Sequence, residues 1–383
     1  MPLEQHPELS AVLRDPLWAA RQSQRPVVAF ASNNVPVELI HAAGCFPLQL
    51  PTAPRADTAR ADHYLESRFD PLVRNALEQL LAGELACARL VALPRSVDSW
   101  QRLYYYLCEL TRSFGERVPE PFLYDILHTP FDTSADYNLL STRAFADKLA
   151  AISGTLGPVP EHALASSIAL YNRVRDRLRA MSQLRHALPC QLAGADALEL
   201  YTAAQRLDPA VFEHALETLL ARGGSSAPGV RTLLVGSAHD TPALHQLIAR
   251  CGGQVVADFH ARGDLLFGPN VRDEAPALQA LSEHYHRQSV SARTYPPPLT
   301  ALLDLADMSR AEAAVFFYYA EEEALTWDHP EQQAALRARG LTTLLLDREA
   351  YPPSADLEPR LRQFFAEFSP SVPSVQGREP PSH

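Results

Sequence analysis

The sequence lacks the local patterns that zinc sites, nucleotide-binding loops and nucleophilic hydrolases require. Its five cysteines are widely spaced and include no C-x-x-C pair, so no local zinc signature is present. No P-loop, G-x-G-x-x-G, H-E-x-x-H or Ser-His-Asp order occurs. Kinase, hydrolase and nicotinamide-dependent activities therefore have no support in the sequence, although cysteines distant along the chain can still converge in space.

Clustered positive charge and long apolar runs are also absent. The net charge is -11, and no run of five basic residues occurs. Because phosphate backbones are bound by clustered Lys and Arg, we expect no nucleic-acid partner. No apolar stretch is long enough for a membrane span, and charged residues interrupt the first 23 positions, so we expect a cytoplasmic protein. Local arginines or helix N-termini would still suffice to bind an anion such as CoA.

Two parts of the chain repeat the order strand, polar turn, helix. The first runs through 26–32 into a helix at 36–43, and the second through 232–237 into a helix at 242–250. Further strands are predicted at 46–50, 90–93, 122–126, 254–259, 314–318 and 341–346, with helices at 72–86, 99–114, 332–339 and 357–368. This alternation predicts an α/β fold with two doubly wound domains, each with a small parallel sheet, joined by a long helical region.

Composition sets the predicted domain boundaries. We expect a helical extension at 1–23 and an N-terminal α/β domain with a helical insertion at 24–222. The segment 223–229, rich in Gly and Ser, reads as a linker, and a C-terminal α/β domain follows at 230–368. The remaining residues, 369–383, are rich in Pro and Ser and are predicted to be a disordered tail.

The fold class itself predicts a site. In doubly wound sheets, ligands bind beyond the carboxyl ends of the strands, which places Ser32, Asn33, Ser237 and His239 near a cleft. We predict that Ser32, Asn33 and Ser237 bind substrate and that His239 acts in acid–base catalysis. The alternatives are helix N-caps for Ser32 and Asn33, and a solvated loop histidine for His239.

Four segments, taken in order, resemble one family. They are P-V-E-L-I-H-A-A-G at 36–44, Y-N-R-V-R with L-R at 171–185, G-G-Q-V-V-A-D at 252–258 and W-D-H-P at 327–330. Together they resemble the 2-hydroxyacyl-CoA dehydratase family, which includes benzoyl-CoA reductase subunits; the last segment is similar to the reductase-like branch. The resemblance implies two α/β domains with four-stranded parallel sheets, an acyl-CoA thioester as ligand, and pairing with a sibling subunit or a second copy.

Glu38 lies in the first of these segments, at the start of a predicted helix. We predict a catalytic role for its carboxylate, which would contact a substrate hydroxyl or position a proton. The alternative is that the carboxylate interacts favourably with the positive end of the helix dipole.

The resemblance also implies a cofactor that this chain is not expected to bind. Enzymes of the family hold a [4Fe-4S] cluster with cysteine thiolates, and the corresponding positions here read as Asp70, Val97 and Ala320. A carboxylate such as Asp70 can replace one thiolate, but Val97 and Ala320 have no donor atom. The acidic run 321–323 occupies the loop that bears a ligand in relatives. We therefore expect no iron–sulfur cluster, no metal and no other cofactor.

The resulting interpretation is a family member without its electron carrier. It would be an auxiliary acyl-CoA-binding subunit that pairs with a cluster-bearing sibling. Two alternatives stay open: a cluster-free acyl-CoA lyase or hydratase with Glu38 or a cleft histidine as base, and a true dehydratase or benzoyl-CoA reductase subunit with unusual ligands. Whether the chain is itself an enzyme, and on which substrate, stays open as well.

Overall fold

The computed structural model describes Leu3 and residues 6–224, 227–266, 268–273, 276–288 and 298–368. The predicted disordered tail, 369–383, lies outside the described residues, as does part of the predicted linker. Across the described residues, no helix combines the length and apolar character needed to cross a bilayer.

Two four-stranded parallel sheets form the centre of the structure, as the sequence predicts. The first contains β1 (Val27–Phe30), β2 (Phe46–Gln49), β3 (Ala88–Pro94) and β4 (Glu120–Tyr124) in the order β2-β1-β3-β4. The second contains β5 (Val230–Gly236), β6 (Gly253–Phe259), β7 (Ala313–Tyr319) and β8 (Thr342–Glu349) in the order β6-β5-β7-β8. The two halves therefore share one topology, in which the chain order reverses beside the first strand of each sheet.

Helices cover and connect the two sheets. They are α1 (Pro7–Arg14), α2 (Trp18–Gln22), α3 (Val37–Ala42), α4 (Ala59–Asp62), α5 (Pro71–Leu81), α6 (Asp98–Glu109), α7 (Asp132–Ser153), α8 (Glu161–His186), α9 (Gly194–Ala204), α10 (Pro209–Ala221), α11 (Ala243–Arg250), α12 (Ala277–Gln288), α13 (Leu299–Ser309), α14 (His329–Ala338) and α15 (Glu358–Ala366). The sequence analysis predicts neither α12 nor α13. The first of these packs against α7 and α8 of the N-terminal half.

The strands are apolar on both faces because each sheet has helices on both sides. In β1, Val27 and Ala29 pack in one core cluster, whereas Val28 and Phe30 pack in another. The second sheet is divided in the same way, with Leu234 and Leu233 in separate clusters. Successive side chains of a strand point to opposite faces, so a doubly covered sheet requires continuous apolar runs.

The long helix α8 joins the two halves through two buried arginines. Arg175 forms an ion pair with Glu38 of α3, and Tyr285 of α12 donates a hydrogen bond to the same carboxylate at 2.8 Å. Ten residues further along, Arg185 pairs with Asp258 at 2.6 Å and with Asp264 at 3.0 Å. Ten helical residues span about 15 Å, so one rigid rod fixes the spacing between a point in each half.

The group of side chains around Arg185 has more ion pairs and hydrogen bonds than the group around Arg175. Arg185 and Asp258 are fully buried, and Tyr201 donates to Asp264 at 2.5 Å. Burial alone would lower the pKa of Arg185, but the charges of Asp264 and Asp258 raise it above its ordinary value. The guanidinium is therefore charged and is needed to balance the two carboxylates.

We expect Arg185→Met to destabilise the protein by about 3 to 5 kcal/mol, because two buried carboxylates would lose their cation. The matched control is Arg177→Met on the same helix. Arg177 pairs with Glu217 in a largely solvated position, and its loss should cost about 1 kcal/mol or less. Chemical denaturation of both variants tests the difference, and similar losses for the two would contradict the structural role of Arg185.

Candidate functional site

The carboxyl ends of the central strands of both sheets face one cleft. It contains about 1050 Å³ of space not filled by atoms, part of it open to solvent. Its polar and small lining residues follow the strand ends: Ala31, Ser32 and Asn34 after β1, Ser96 and Val97 after β3, Ser237 and Ala238 after β5, and Tyr319 and Glu322 at the end of β7 and beyond. This is the topological switch point of each sheet, where ligands bind in open α/β folds.

Gly236 shows why the chain turns at this point. Its φ is +122°, and a Cβ placed on it would lie 2.3 Å from the carbonyl oxygen of Phe317. Only glycine satisfies both conditions, because other residues avoid this conformation and have no room for the added atom. The backbone of β5 consequently approaches β7 closely where both strands end at the cleft.

The structure places two of the three predicted substrate-binding residues in the cleft. Ser32 lines it and donates a hydrogen bond within its own turn, to the amide oxygens of Asn33 and Asn34 at 3.0 and 3.2 Å. Ser237 also lines it, and its hydroxyl accepts the backbone N–H of Tyr319 at 3.1 Å. Asn33 is not among the lining residues. Its side-chain amide donates to the carbonyl of Leu265 at 2.9 Å, so it connects the two domains.

His239 lies behind the cleft wall and is not one of its lining residues. Its Nδ1 forms a hydrogen bond with the hydroxyl of Tyr319 at 3.0 Å, and Tyr319 itself lines the cleft. Burial, together with His260 and His245, lowers the pKa of His239 well below its ordinary value. The imidazole is therefore neutral near pH 7. Its predicted acid–base role stays a prediction, and the geometry gives it no direct contact with the cleft.

Glu38 lies away from the cleft, in the core of the N-terminal half. Burial raises its pKa, but Arg175 and His284 more than offset this effect and hold the pKa below its ordinary value. Both carboxylate oxygens are occupied, one by Arg175 and the other by Tyr285. This geometry favours a structural part for Glu38 over the predicted catalytic one, because no face of the carboxylate meets the ligand space.

The three positions predicted to correspond to cluster cysteines lie at or beside the cleft. Asp70 and Val97 line it, and the exposed Ala320 directly follows Tyr319, which also lines it. None of the five cysteines is among its lining residues. Cys45 is buried in the N-terminal core, where burial raises the pKa of its thiol to about 11 and so disfavours the thiolate that binds metals.

His245, Asp258 and His260 place three potential metal-ligand atoms within 4.8 Å of one another, and His260 also lines the cleft. The carboxylate of this cluster is already committed. Asp258 accepts from Arg185 at 2.6 Å and lies 2.7 Å from His245 Nε2. Both oxygens of Asp258 are therefore already engaged by the chain itself, one by Arg185 and the other by His245, and we assign no metal to this cluster.

Two partly buried carboxyls line the cleft, Asp70 and Glu322; the second belongs to the acidic run 321–323 noted in the sequence. Asp70 caps α5, where its Oδ1 accepts the Leu72 N–H at 2.7 Å, and burial raises its pKa to about 6. Glu322 accepts the N–H groups of Ala324 and Leu325 at 3.0 and 3.1 Å. Burial raises the pKa of Glu322 to about 7, and the charge of Asp70 contributes to the increase. Both groups titrate near neutrality beside a ligand space.

Comparison with known families agrees with this geometry. Residues 32–367 match the family described as 2-hydroxyglutaryl-CoA dehydratase, D-component. The chain belongs to this family. The match confirms the resemblance drawn from the four segments, and it begins at Ser32, the residue that follows β1 into the cleft. A search of curated proteins found no match.

The segments that resemble the 2-hydroxyglutaryl-CoA dehydratase D-component family can be placed in the structure. The second and third segments supply Arg175, Arg185 and Asp258, which hold the two halves together. The fourth supplies Asp328, which lines the cleft. The shared sequence features of this chain therefore fall on the frame and rim of the cleft.

The raised pKa values of the two cleft carboxyls predict a pH-dependent stability. The folded state retains protons that the unfolded chain releases near its ordinary pKa values of 3.8 and 4.5. These groups consequently reduce stability as the pH rises from about 4 to about 7. A shift of about two pH units corresponds to about 3 kcal/mol. The double variant Asp70→Asn, Glu322→Gln keeps the hydrogen-bond acceptors and should therefore gain several kcal/mol over the unmodified protein across that range.

Urea denaturation at a series of pH values measures this difference. Asp147→Asn, at an exposed position on α7, serves as the control and should show a constant difference from the unmodified protein. A pH-independent difference for the double variant as well would show that the two carboxyls titrate normally.

Proposed function

We propose that this chain binds an acyl-CoA thioester in the cleft without an iron–sulfur cluster of its own, as an auxiliary subunit beside a cluster-bearing sibling. The observation that carries the proposal is the combination of a retained cleft with an altered donor set. A cleft is present at the carboxyl ends of both sheets, while the positions predicted to correspond to the cluster cysteines hold Asp70, Val97 and Ala320.

The donor set does not fit a [4Fe-4S] cluster. Such clusters need soft, charged thiolates, usually four of them. The lining residues offer one carboxylate, Asp70, at the expected positions, and no cysteine. The buried Cys45 and the part-buried Cys87 have raised thiol pKa values because of their burial, which keeps them protonated.

The lining suits the acyl and thioester portion of a CoA ligand. Apolar surface comes from Leu72, Trp100, Phe259 and Leu325, while Ser32 and Ser237 stand at strand ends on opposite sides. A mostly apolar cleft of this size with a few convergent polar groups is typical of a small-molecule site.

The rim of the cleft supports a partner subunit. Trp327 is 84% exposed, and its neighbours Leu325 and Asp328 line the cleft. A large aromatic side chain left in water beside a ligand site is typical of an interaction surface. The proposed partner is a homologous sibling subunit; a second copy of this chain is the alternative.

A matched pair of substitutions tests ligand binding in the cleft. Val97→Phe should fill part of the ligand space, whereas Val211→Phe adds the same volume at a position on α10 that is 41% exposed. We expect butyryl-CoA to bind the Val97→Phe variant about tenfold more weakly in calorimetry, a loss of about 1.4 kcal/mol. Affinity should be unchanged in Val211→Phe. Equal affinity in both variants would place the ligand elsewhere.

A second candidate function is favoured by the two cleft carboxyls. In a cluster-free hydration of an enoyl-CoA, one carboxylate would take a proton from water and the other, protonated, would deliver one to the α-carbon. Asp70 and Glu322, with pKa values of about 6 and about 7, suit such a pair better than the buried Glu38 or His239.

This candidate has its own test. Hydration of crotonyl-CoA by iron-free protein should fall by about a hundredfold or more in Glu322→Gln, because proton transfer would lose its donor. Binding of butyryl-CoA should persist in the same variant. Absence of hydration by the unmodified protein would rule out this second function and leave the binding proposal standing.

A further inference from the structure

A buried group of two cations and one anion lies against the cleft. Arg262 is 5% exposed and lines the cleft, Arg206 is 4% exposed, and Asp240 is 7% exposed. The three residues come from different parts of the fold: Arg206 follows α9, Asp240 follows β5, and Arg262 follows β6. The fold therefore brings together a charged group that no local sequence pattern predicts.

Asp240 does not form a hydrogen-bonded pair with either arginine. Its Oδ2 accepts the hydroxyl of Thr52 at 2.6 Å, and its Oδ1 accepts the hydroxyl of Tyr351 at 2.6 Å. Arg262 Nη1 lies 3.6 Å from Oδ2, which is an ion pair beyond hydrogen-bond distance. One carboxylate, bonded to two neutral hydroxyls, thus balances two guanidinium groups.

The arginine side chains have donors without acceptors. Within the described part of the chain, Nη1 and Nη2 of Arg262 and Nε and Nη2 of Arg206 lack hydrogen-bond partners. Buried N–H donors and uncompensated charge are costly, so a group of this kind calls for an anion that the described residues do not supply. Burial and the charge of Arg262 lower the pKa of Arg206 to about 10, which is still high enough to keep it charged at neutral pH.

The cleft carboxyls do not fill this need. Asp70 feels the charge of Arg262, but its Oδ1 accepts the backbone N–H of Leu72, and burial leaves its pKa at about 6. Glu322 directs its Oε1 to the N–H groups of Ala324 and Leu325. Neither carboxyl therefore supplies an acceptor to the buried Nη groups of Arg262, which lies in the cleft wall.

We propose that Arg262 is the anion-binding subsite of this cleft and that it takes a bidentate oxyanion of the ligand, with Arg206 behind it adding positive potential. A planar guanidinium whose two Nη groups have no hydrogen-bond partner among the described residues matches a carboxylate or a phosphate in geometry. The inference rests on the proposed acyl-CoA function for the identity of the ligand. The oxyanion is then either a carboxylate on the acyl chain or a phosphate of the CoA.

The first test uses small anions, so that it does not depend on CoA binding. Thermal unfolding of the full chain is measured with glutarate and with inorganic phosphate, against chloride at equal ionic strength. We expect at least one of these anions to raise the Tm of the unmodified protein and of Arg112→Gln, a control at an exposed position on the surface. Arg262→Gln should show no such increase.

The second test identifies the source of the oxyanion. Glutaryl-CoA, butyryl-CoA and CoA are compared by calorimetry on the unmodified protein and on Arg262→Gln. A loss of about tenfold or more for glutaryl-CoA alone would assign the subsite to an acyl carboxylate. An equal loss for all three ligands would assign it to a CoA phosphate. Unchanged affinities for all three, together with no stabilisation by small anions, would overturn the inference.

Two further results distinguish a failure of the anion subsite from a failure of the proposed function. Arg262→Gln should not lower the Tm of the ligand-free protein, because it removes an uncompensated charge; if it fails to fold, Arg206→Gln takes its place and should weaken anion stabilisation in the same direction. Stabilisation by glutarate or phosphate without any acyl-CoA binding would refute the proposed function and leave the subsite intact. Acyl-CoA binding that is unchanged when either arginine is replaced would refute the subsite and leave the proposed function standing.

Discussion

The cleft depends on two buried arginines carried by one helix. Arg175 binds Glu38 in the N-terminal half, and Arg185 binds Asp258 and Asp264 in the C-terminal half. A buried charge tolerates little displacement from its counter-charge, because an unpaired ion in the core is strongly unfavourable. Since both arginines sit on α8, the two sheets cannot rotate freely about the linker. Their carboxyl ends are held facing each other, and the ligand space is a consequence.

This arrangement assigns most buried charge to the frame and leaves a smaller set for chemistry. The carboxylates of Glu38 and Asp258 form ion pairs with arginines, and neither residue lines the cleft. Asp70, Glu322 and Arg262 line the cleft. The two carboxyls have raised pKa values, and the Nη groups of Arg262 have no hydrogen-bond partner among the described residues. Shifted carboxyl pKa values and open guanidinium donors, both facing one space, are typical of a ligand site.

The sequence predicts the sheets well because their signal is local. Buried parallel strands give short, continuous apolar runs, and all eight were predicted close to their observed positions. The helix α12 was missed, although its buried Ala277, Leu281 and Tyr285 show helical spacing. A serine, a glutamate and a histidine between Leu281 and Tyr285 weaken the apolar pattern. Only packing against α7 and α8 explains why the segment folds there.

The site was less predictable because its decisive contacts are remote in sequence. The motif segments marked Glu38 and Asp258 as notable, but their partners lie 137 and 73 residues away. Position after a strand end placed Ser32 and Ser237 correctly, since strand ends meet by topology. Position after a strand end did not distinguish His239, which contacts Tyr319 but does not line the cleft, from Arg262, which lines it. Side-chain direction after a strand is a tertiary property.

We propose above that the chain keeps a ligand cleft at its strand ends and holds no iron–sulfur cluster there. The most direct test is the iron and acid-labile sulfide content of protein purified without oxygen, with its visible absorption spectrum. The account predicts neither iron nor sulfide in a well-folded sample, and no cluster spectrum after attempted reconstitution. Stoichiometric iron and sulfide would contradict it, and would mean that the cluster is held by ligands other than cysteines at the positions now occupied by Asp70, Val97 and Ala320.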